Sequence, residues 1–376
     1  MRKICALKFF NFLKKNGIEF FCGVPDSVLE SIIKVIQNKV SEDNHVIVSN
    51  EGNSIGLACG YYLATKKLAM VYLQNSGLGN AINPLTSLVN KETYSIPMLM
   101  LIGWRGDPYR DDEPQHSKPG KIMLKQLELL DIKYLVADPI NINKQIVDLI
   151  KYSKKEKKPV SLIVKRNDFD YYELTNHNEN KKYTKRSDAV NTILNFTSSN
   201  DAVISTTGYI SRQTLKYIHD MKISDKRFFF NVGAMGHLSS IALGIALKSN
   251  KRIICIDGDG SFFMHMGNIL TISNYNLSNL KYFLINNGAH ESVGGQRTLG
   301  LKINLEKIVK SFGFQHVRSY DSLIQMKNIK KDLQKKQSCF FEIKTDIEKS
   351  VNLPRPKKKL KTYGDNFSNF LRKCNV

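Results

Sequence analysis

An acidic turn, Asp257-Gly258-Asp259-Gly260-Ser261, and a carboxamide pair, Asn286-Asn287, follow one another along the chain, each at the carboxyl end of an apolar run. The runs, Ile253-Ile254-Cys255-Ile256 and Tyr282-Phe283-Leu284-Ile285, read as buried strands. The glycines of the first turn let backbone N–H groups approach an anion, and the N-terminus of the helix that should follow favours negative charge there. A carboxylate, a carboxamide oxygen, a backbone carbonyl and the oxygens of a diphosphate together make the all-oxygen octahedral shell that Mg2+ requires. A Gly-Asp-Gly turn alone would be an ordinary strand-to-helix connection, and it is the pairing with Asn-Asn that points to a metal and a diphosphate.

Glu51 is the second anchor. It follows Val46-Ile47-Val48 through Ser49-Asn50 and precedes Gly52-Asn53-Ser54, so its carboxylate stands where a strand ends and a helix begins. Open α/β folds bind ligands at that edge, although the macrodipole also favours a glutamate there without any function. His116 is the best candidate for an acid or proton relay, because an unperturbed imidazole titrates near neutrality. Asp26, His237 and His290 are weaker candidates, and Arg105 and Lys118 flank the same loop as His116 with charge suited to an anionic substrate.

These residues need a scaffold, and the chain supplies alternating apolar runs and amphipathic stretches. In the first half the runs are Phe20 to Pro25, His45 to Val48, Ala69 to Gln74, Ile96 to Gly103 and Val160 to Val164, with Ser54 to Lys66 and Leu78 to Asn90 helical between them. The second half repeats the alternation at Ala202 to Ser205, Phe228 to Val232, the two runs of the acidic motif, and Cys339 to Ile343. This is the pattern of parallel sheets covered by helices. Two successive regions of one class make duplication of a single fold plausible, although no sequence repeat stands out. With 376 residues there is room for two domains. The expected boundaries are residues 1–172, a polar linker at 173–187, a second domain at 188–350 and a basic tail at 351–376.

The formal charge of +22 invites a nucleic-acid reading. The lysines are spread along the whole chain without a recognition-helix, zinc-finger or aromatic-sheet signature, so no nucleic-acid partner is expected. No apolar run has the length of a membrane span, and the opening residues do not read as a signal peptide. The six cysteines lack CxxC spacing and read as reduced core thiols, consistent with a cytoplasmic protein.

Taken together, the acidic turn and the Asn-Asn pair resemble the signature of the thiamine-diphosphate-dependent 2-oxo acid decarboxylase family. The resemblance implies an α/β chain of two doubly wound parallel-sheet domains, the first binding the pyrimidine and the second the diphosphate and Mg2+. It places metal ligands on Asp259, the Asn287 side chain and the Ala289 carbonyl, with Gly258, Gly260 and Ser261 near the diphosphate and Thr207-Gly208 matching a turn that touches it. Gly233-Ala234-Met235-Gly236-His237 matches the segment in which Met235 would wedge under the cofactor and the Gly233 carbonyl would accept from its amino group. Glu51 matches the glutamate that bonds N1' of the aminopyrimidine and promotes loss of the C2 proton. Longer strings, Gly23 to Ser27, Gln74 to Asn80, Asp112 to His116 and Asn286 to Gln296, resemble one subgroup, the phosphonopyruvate decarboxylases, with Arg297 departing from its usual proline. The implied substrate is a small anionic 2-oxo acid, 3-phosphonopyruvate; His116, Asp26, His290 and Arg105 are the candidates for its side of the site, and Arg297 either grips the phosphonate or faces solvent. Sulfopyruvate decarboxylase and a related carboligase are the alternatives. Because Glu51 and the metal motif fall in different domains, the resemblance also implies a homo-oligomer in which one subunit's first domain meets another's second.

Overall fold

The computed structural model describes residues 2–173, 182–348, 353–356 and 358–373. The chain forms two compact units, Met1–Asn178 and Glu179–Val376.

The N-terminal unit is a parallel sheet of β1 (Phe20–Gly23), β2 (His45–Ile47), β3 (Ala69–Gln74), β4 (Met98–Trp104), β5 (Lys133–Val136) and β6 (Pro159–Lys165), in the order β2-β1-β3-β4-β6-β5. Its central strands are apolar on both faces because helices cover both. Met70 and Tyr72 join Leu99 and Leu101 in one core, while Ala69, Val71 and Leu73 join Met100 and Ile102 in the other. The helix Glu51–Thr65 starts where the Asn50 side chain accepts the Gly52 N–H at 2.8 Å, and it stops at Lys66 in the left-handed region.

In the C-terminal unit the main sheet comprises β8 (Ala202–Ser205), β9 (Phe228–Phe230), β10 (Ile253–Gly258), β11 (Leu280–Asn286), β14 (His316–Tyr320) and β15 (Cys339–Asp346), in the order β14-β15-β11-β10-β8-β9. A short β7 (Thr184–Lys185) pairs with the end of β15, and β12 (Ala289–His290) and β13 (Gln296–Arg297) form a small antiparallel hairpin. Strand for strand, the order of this sheet is that of the first. Each reverses its winding direction beside its first strand, between β1 and β3 and between β8 and β10, and that is where α/β sheets open a crevice at their carboxyl edge.

Four sequence expectations need correction. The apolar runs missed β5 and β14, which lie at the ends of their sheets and are short in apolar residues, β5 opening on the exposed Lys133 and β14 interrupted by Arg318 and Ser319. Asp257 and Gly258 belong to β10 and Asp259 opens the helix Asp259–Met264, so the strand passes straight into the helix where a turn was expected. Of the linker expected at 173–187, residues 174–181 lie outside the described residues, but Thr184–Lys185 is a strand and Arg186 opens a helix. The expected basic tail contains the amphipathic helix Leu360–Arg372. Its Tyr363 and Phe367 are buried, with ring centroids 5.4 and 5.6 Å from Phe230 and Phe229, so the helix covers the edge strand β9. Among the described residues no helix is long and apolar enough to cross a membrane.

Candidate active site

Each sheet brings its own set of chemical groups to its carboxyl edge. In the N-terminal unit Glu51, the first residue after β2 to turn into a helix, is 5% exposed. Asn80 Nδ2 donates to its Oε2 at 2.7 Å, and burial, partly offset by that bond, raises the carboxyl's pKa. The carboxylate fits because residue 77 has no side chain, since a Cβ there would come within 2.3 Å of Oε1. Asp26, after β1, is 1% exposed and sits in a similar notch, with its Oδ2 where a Cβ on Gly103 would stand. The Val28 N–H donates to Oδ2 at 3.0 Å while Oδ1 has no partner among the described residues, and burial pushes the group up to about 6.

Arg105, after β4, is held. Its Nε and Nη2 donate to Asp112 at 2.7 and 2.5 Å, and Nη1 donates to Ser27 at 3.1 Å. Burial pushes Asp112 up, but the Arg105 bonds and the Glu113 and Gly106 N–H groups outweigh it and bring the carboxyl well below its ordinary range. His116 lies in the first turn of the helix Pro114–Leu129, where burial and then the Arg105 charge lower it to about 4, so the imidazole is neutral at physiological pH.

In the C-terminal unit a cleft at the ends of β8, β10 and β11 is lined by Thr207, Met235, Gly258 to Ser261, Asn287, Ala289 and His290. Gly208 caps the helix Tyr209–Asp220 with a φ of 82°, a conformation that a side chain would strain. Ser261 Oγ ties two loops together, accepting from Thr206 Oγ1 at 3.1 Å and from the Gly236 N–H at 3.0 Å. Met235 is half-buried on the cleft wall, its N–H donating to the Gly233 carbonyl at 2.9 Å. The imidazole of His290 covers Gly260, where a Cβ would lie 2.8 Å from Nδ1, and burial lowers the ring to about 4.

Asp259 is 3% exposed, and burial pushes it up to about 7 despite a hydrogen bond from the Thr298 hydroxyl. Asn286 is turned into the core, donating to Glu342 Oε1 and the Gly300 carbonyl, whereas Asn287 faces the cleft. Asn287 Oδ1 accepts the Ala289 N–H at 3.0 Å and its Nδ2 donates to Glu291 at 3.1 Å. Arg297 lies on β13 with its side chain exposed, and His237 is exposed beside Met235.

Two family models match the chain: "Thiamine pyrophosphate enzyme, N-terminal TPP binding domain" over residues 6–129, and "Thiamine pyrophosphate enzyme, C-terminal TPP binding domain" over residues 206–343. A phosphonopyruvate decarboxylase of Streptomyces viridochromogenes is 30% identical over 327 residues, 82% of this chain and 79% of that protein. The chain belongs to the thiamine-pyrophosphate enzymes. A second phosphonopyruvate decarboxylase, from Streptomyces hygroscopicus, is 30% identical over 82% of the chain and 79% of its own length. A sulfopyruvate decarboxylase of Methanosarcina acetivorans is 26% identical over 84% of each.

As a thiamine-pyrophosphate enzyme, the chain has a donor set that fits a hard divalent cation. Asp259, the Asn287 carboxamide oxygen and the Ala289 carbonyl offer only oxygen, and Asp259 is a buried carboxylate whose own chain gives it a hydroxyl but no salt bridge among those described. A cation there would offset the burial that now favours its protonated form. Sequence reasoning assigned no role to Thr206, Arg186 or Glu291, all of which line this cleft. Arg186 and Glu291 lie 105 positions apart, so no local pattern could have paired them.

Proposed function

We propose that this chain decarboxylates 3-phosphonopyruvate to phosphonoacetaldehyde and CO2, a step of phosphonate biosynthesis, with thiamine diphosphate held through Mg2+. The observation that carries this reading is the extent of the likeness to phosphonopyruvate decarboxylases, 30% over 82% of the chain and so reaching into both units.

When bound, thiamine diphosphate supplies the electron sink for the pair left behind as the carboxylate departs. In this reading Asp259, Asn287 and the Ala289 carbonyl hold the cation, while Thr207, Gly208, Gly258, Gly260 and Ser261 surround the diphosphate. Met235 and the Gly233 carbonyl set the cofactor's orientation. Glu51, kept protonatable by burial, exchanges a proton with the aminopyrimidine at N1'. His116, whose neutral imidazole at physiological pH supports the role, moves a proton on the substrate side in this reading, with Asp26 and His290 as further candidates. Arg105 contributes positive charge there through a guanidinium already oriented by Asp112, and Arg297 adds charge from an exposed position. The functional assembly is a cytoplasmic homo-oligomer in which Glu51 of one copy serves the cofactor held by another.

Sulfopyruvate is the second reading, favoured by the 26% relative from Methanosarcina acetivorans. A phosphonate dianion gains a further charge-assisted hydrogen bond over a sulfonate monoanion, about 1–3 kcal/mol or roughly ten- to a hundredfold. CO2 release should be measured from phosphonopyruvate, sulfopyruvate and pyruvate, each with thiamine diphosphate and Mg2+ present or absent. The expected result is cofactor-dependent turnover with kcat/KM highest for phosphonopyruvate by that factor. Equal or better turnover of sulfopyruvate overturns the substrate while leaving the decarboxylase reading intact.

A further inference from the structure

The wall of the C-terminal cleft contains a buried ion pair that the roles above leave unused. The side chains of Arg186 and Glu291 are 2% and 8% exposed, and both line the cleft beside Asn287. Arg186 Nε donates to Glu291 Oε2 at 2.9 Å, and the same oxygen accepts Asn287 Nδ2 at 3.1 Å. The other oxygen, Oε1, accepts the Glu348 N–H at 2.7 Å. Arg186 is itself fixed from two further sides, by the Glu348 carboxylate at 3.6 Å and the Tyr209 ring at 5.2 Å.

A buried ion pair is a poor source of stability, because desolvating both charges offsets much of their attraction. This pair does specify an orientation. The oxygen and nitrogen of a carboxamide are nearly equal in size and differ in that only the nitrogen donates, while an ionised carboxylate only accepts. By accepting from Nδ2, Glu291 turns Oδ1 of Asn287 the other way, toward the Ala289 N–H on the opposite side of the carboxamide. A neutral glutamine in place of Glu291 could donate or accept, which removes one of the two bonds that select the flip and leaves the Ala289 N–H alone to hold it. Arg186 in turn holds the Glu291 carboxylate in position.

We propose that Glu291 and Arg186 are positioning residues for the metal site, selecting the flip of Asn287 that presents its oxygen as a ligand. The proposal rests on the reading of Asn287 as a metal ligand. Partners that orient ligands from behind are worth roughly 10- to 100-fold in metal affinity. Replacing Glu291 should therefore weaken the metal by that factor without removing the capacity to bind thiamine diphosphate.

Mn2+ is a suitable probe, its free concentration read by electron paramagnetic resonance during titration of the full chain with thiamine diphosphate present. Glu291→Gln should raise the Mn2+ Kd by roughly 10- to 100-fold, with cofactor binding restored at saturating Mn2+. Arg186→Lys, which keeps the charge but loses the planar fork, should raise it less. In an Asn287→Ala background Glu291→Gln should have no further effect, since a residue that acts only through another cannot act in its absence. An unchanged Mn2+ Kd in folded Glu291→Gln overturns the proposal, as does a Glu291→Gln effect that persists in full without Asn287. Should Glu291→Gln not fold, an unchanged Kd in Arg186→Lys overturns it instead. If Asn287→Ala alone leaves Mn2+ affinity unchanged, the metal-site reading falls first and the proposal with it.

Discussion

The two sheets are wound alike and equipped differently. In the N-terminal unit the carboxyl edge holds single carboxylates in glycine notches, Glu51 over Gly77 and Asp26 over Gly103, each with few partners and each raised by burial. In the C-terminal unit the corresponding edge brings Asp259, Asn287 and Ala289 to the wall of one cleft, together with Gly258 and Gly260. The first arrangement alters proton affinity, and the second, in the proposed reading, offers oxygen ligands to a cation. One strand order therefore supports two chemistries, because the winding determines only where the loops converge and the side chains at that point decide what is done there.

That contrast can be broken by experiment. The largest effect is expected for Asp259→Ala, which removes a carboxylate from the ligand set. Metal-dependent thiamine diphosphate binding and decarboxylation should be lost together, and a variant that retained both in a calorimetric titration would show that the C-terminal edge is not the metal site. Next is Glu51→Gln, which keeps the shape of the notch but not the proton exchange. Turnover should fall by roughly 10²–10⁴-fold while the affinities for thiamine diphosphate and Mg2+ stay close to those of the parent. A loss of cofactor affinity equal to that of Asp259→Ala would erase the division of labour between the two edges.

The smallest effect concerns stability. Asp26 is raised in the folded chain to about 6 from an ordinary value near 3.8, so the folded state binds its proton more tightly than the unfolded state does. Its contribution is therefore greatest below the ordinary value and is lost as pH rises toward 6, a change on the order of 2–3 kcal/mol. In Asp26→Asn that part of the slope between about pH 4 and pH 6 should vanish from urea-unfolding midpoints. If the variant shows the parent's slope, the notch over Gly103 does not hold the carboxylate dry.

Much of the scaffold was legible because central parallel strands are apolar on both faces. Ala69 to Gln74 was read to the residue, and β1, β8, β10 and β11 were located from their apolar runs. The same reasoning missed β5 and β14, which occupy the same place in the two sheets. An edge strand needs fewer apolar residues, and while the edge strands β2 and β9 still carry readable runs, Tyr134-Leu135-Val136 is only three residues long and His316-Val317-Arg318-Ser319-Tyr320 is broken by Arg318 and Ser319. The tail was misread for a related reason. Its lysines dominate the composition near Pro356, while Tyr363 and Phe367 reveal themselves as core only once β9 is there to be covered.

By itself the sequence determined the class of fold, the acidic motif at the end of a strand, the Asn-Asn pair and the family, since these depend on residue types at short range and on strings that can be matched. Only the tertiary structure decided that Asn286 turns inward to Glu342 while Asn287 faces the cleft, that the Arg105 fork is already taken by Asp112, and that Glu291 stands between Arg186 and Asn287. Each of these depends on which side chains meet across strands and loops far apart in the chain. A hydrogen bond or ion pair of that kind has no spacing to read, because its geometry exists only after the hydrophobic cores have brought the elements together.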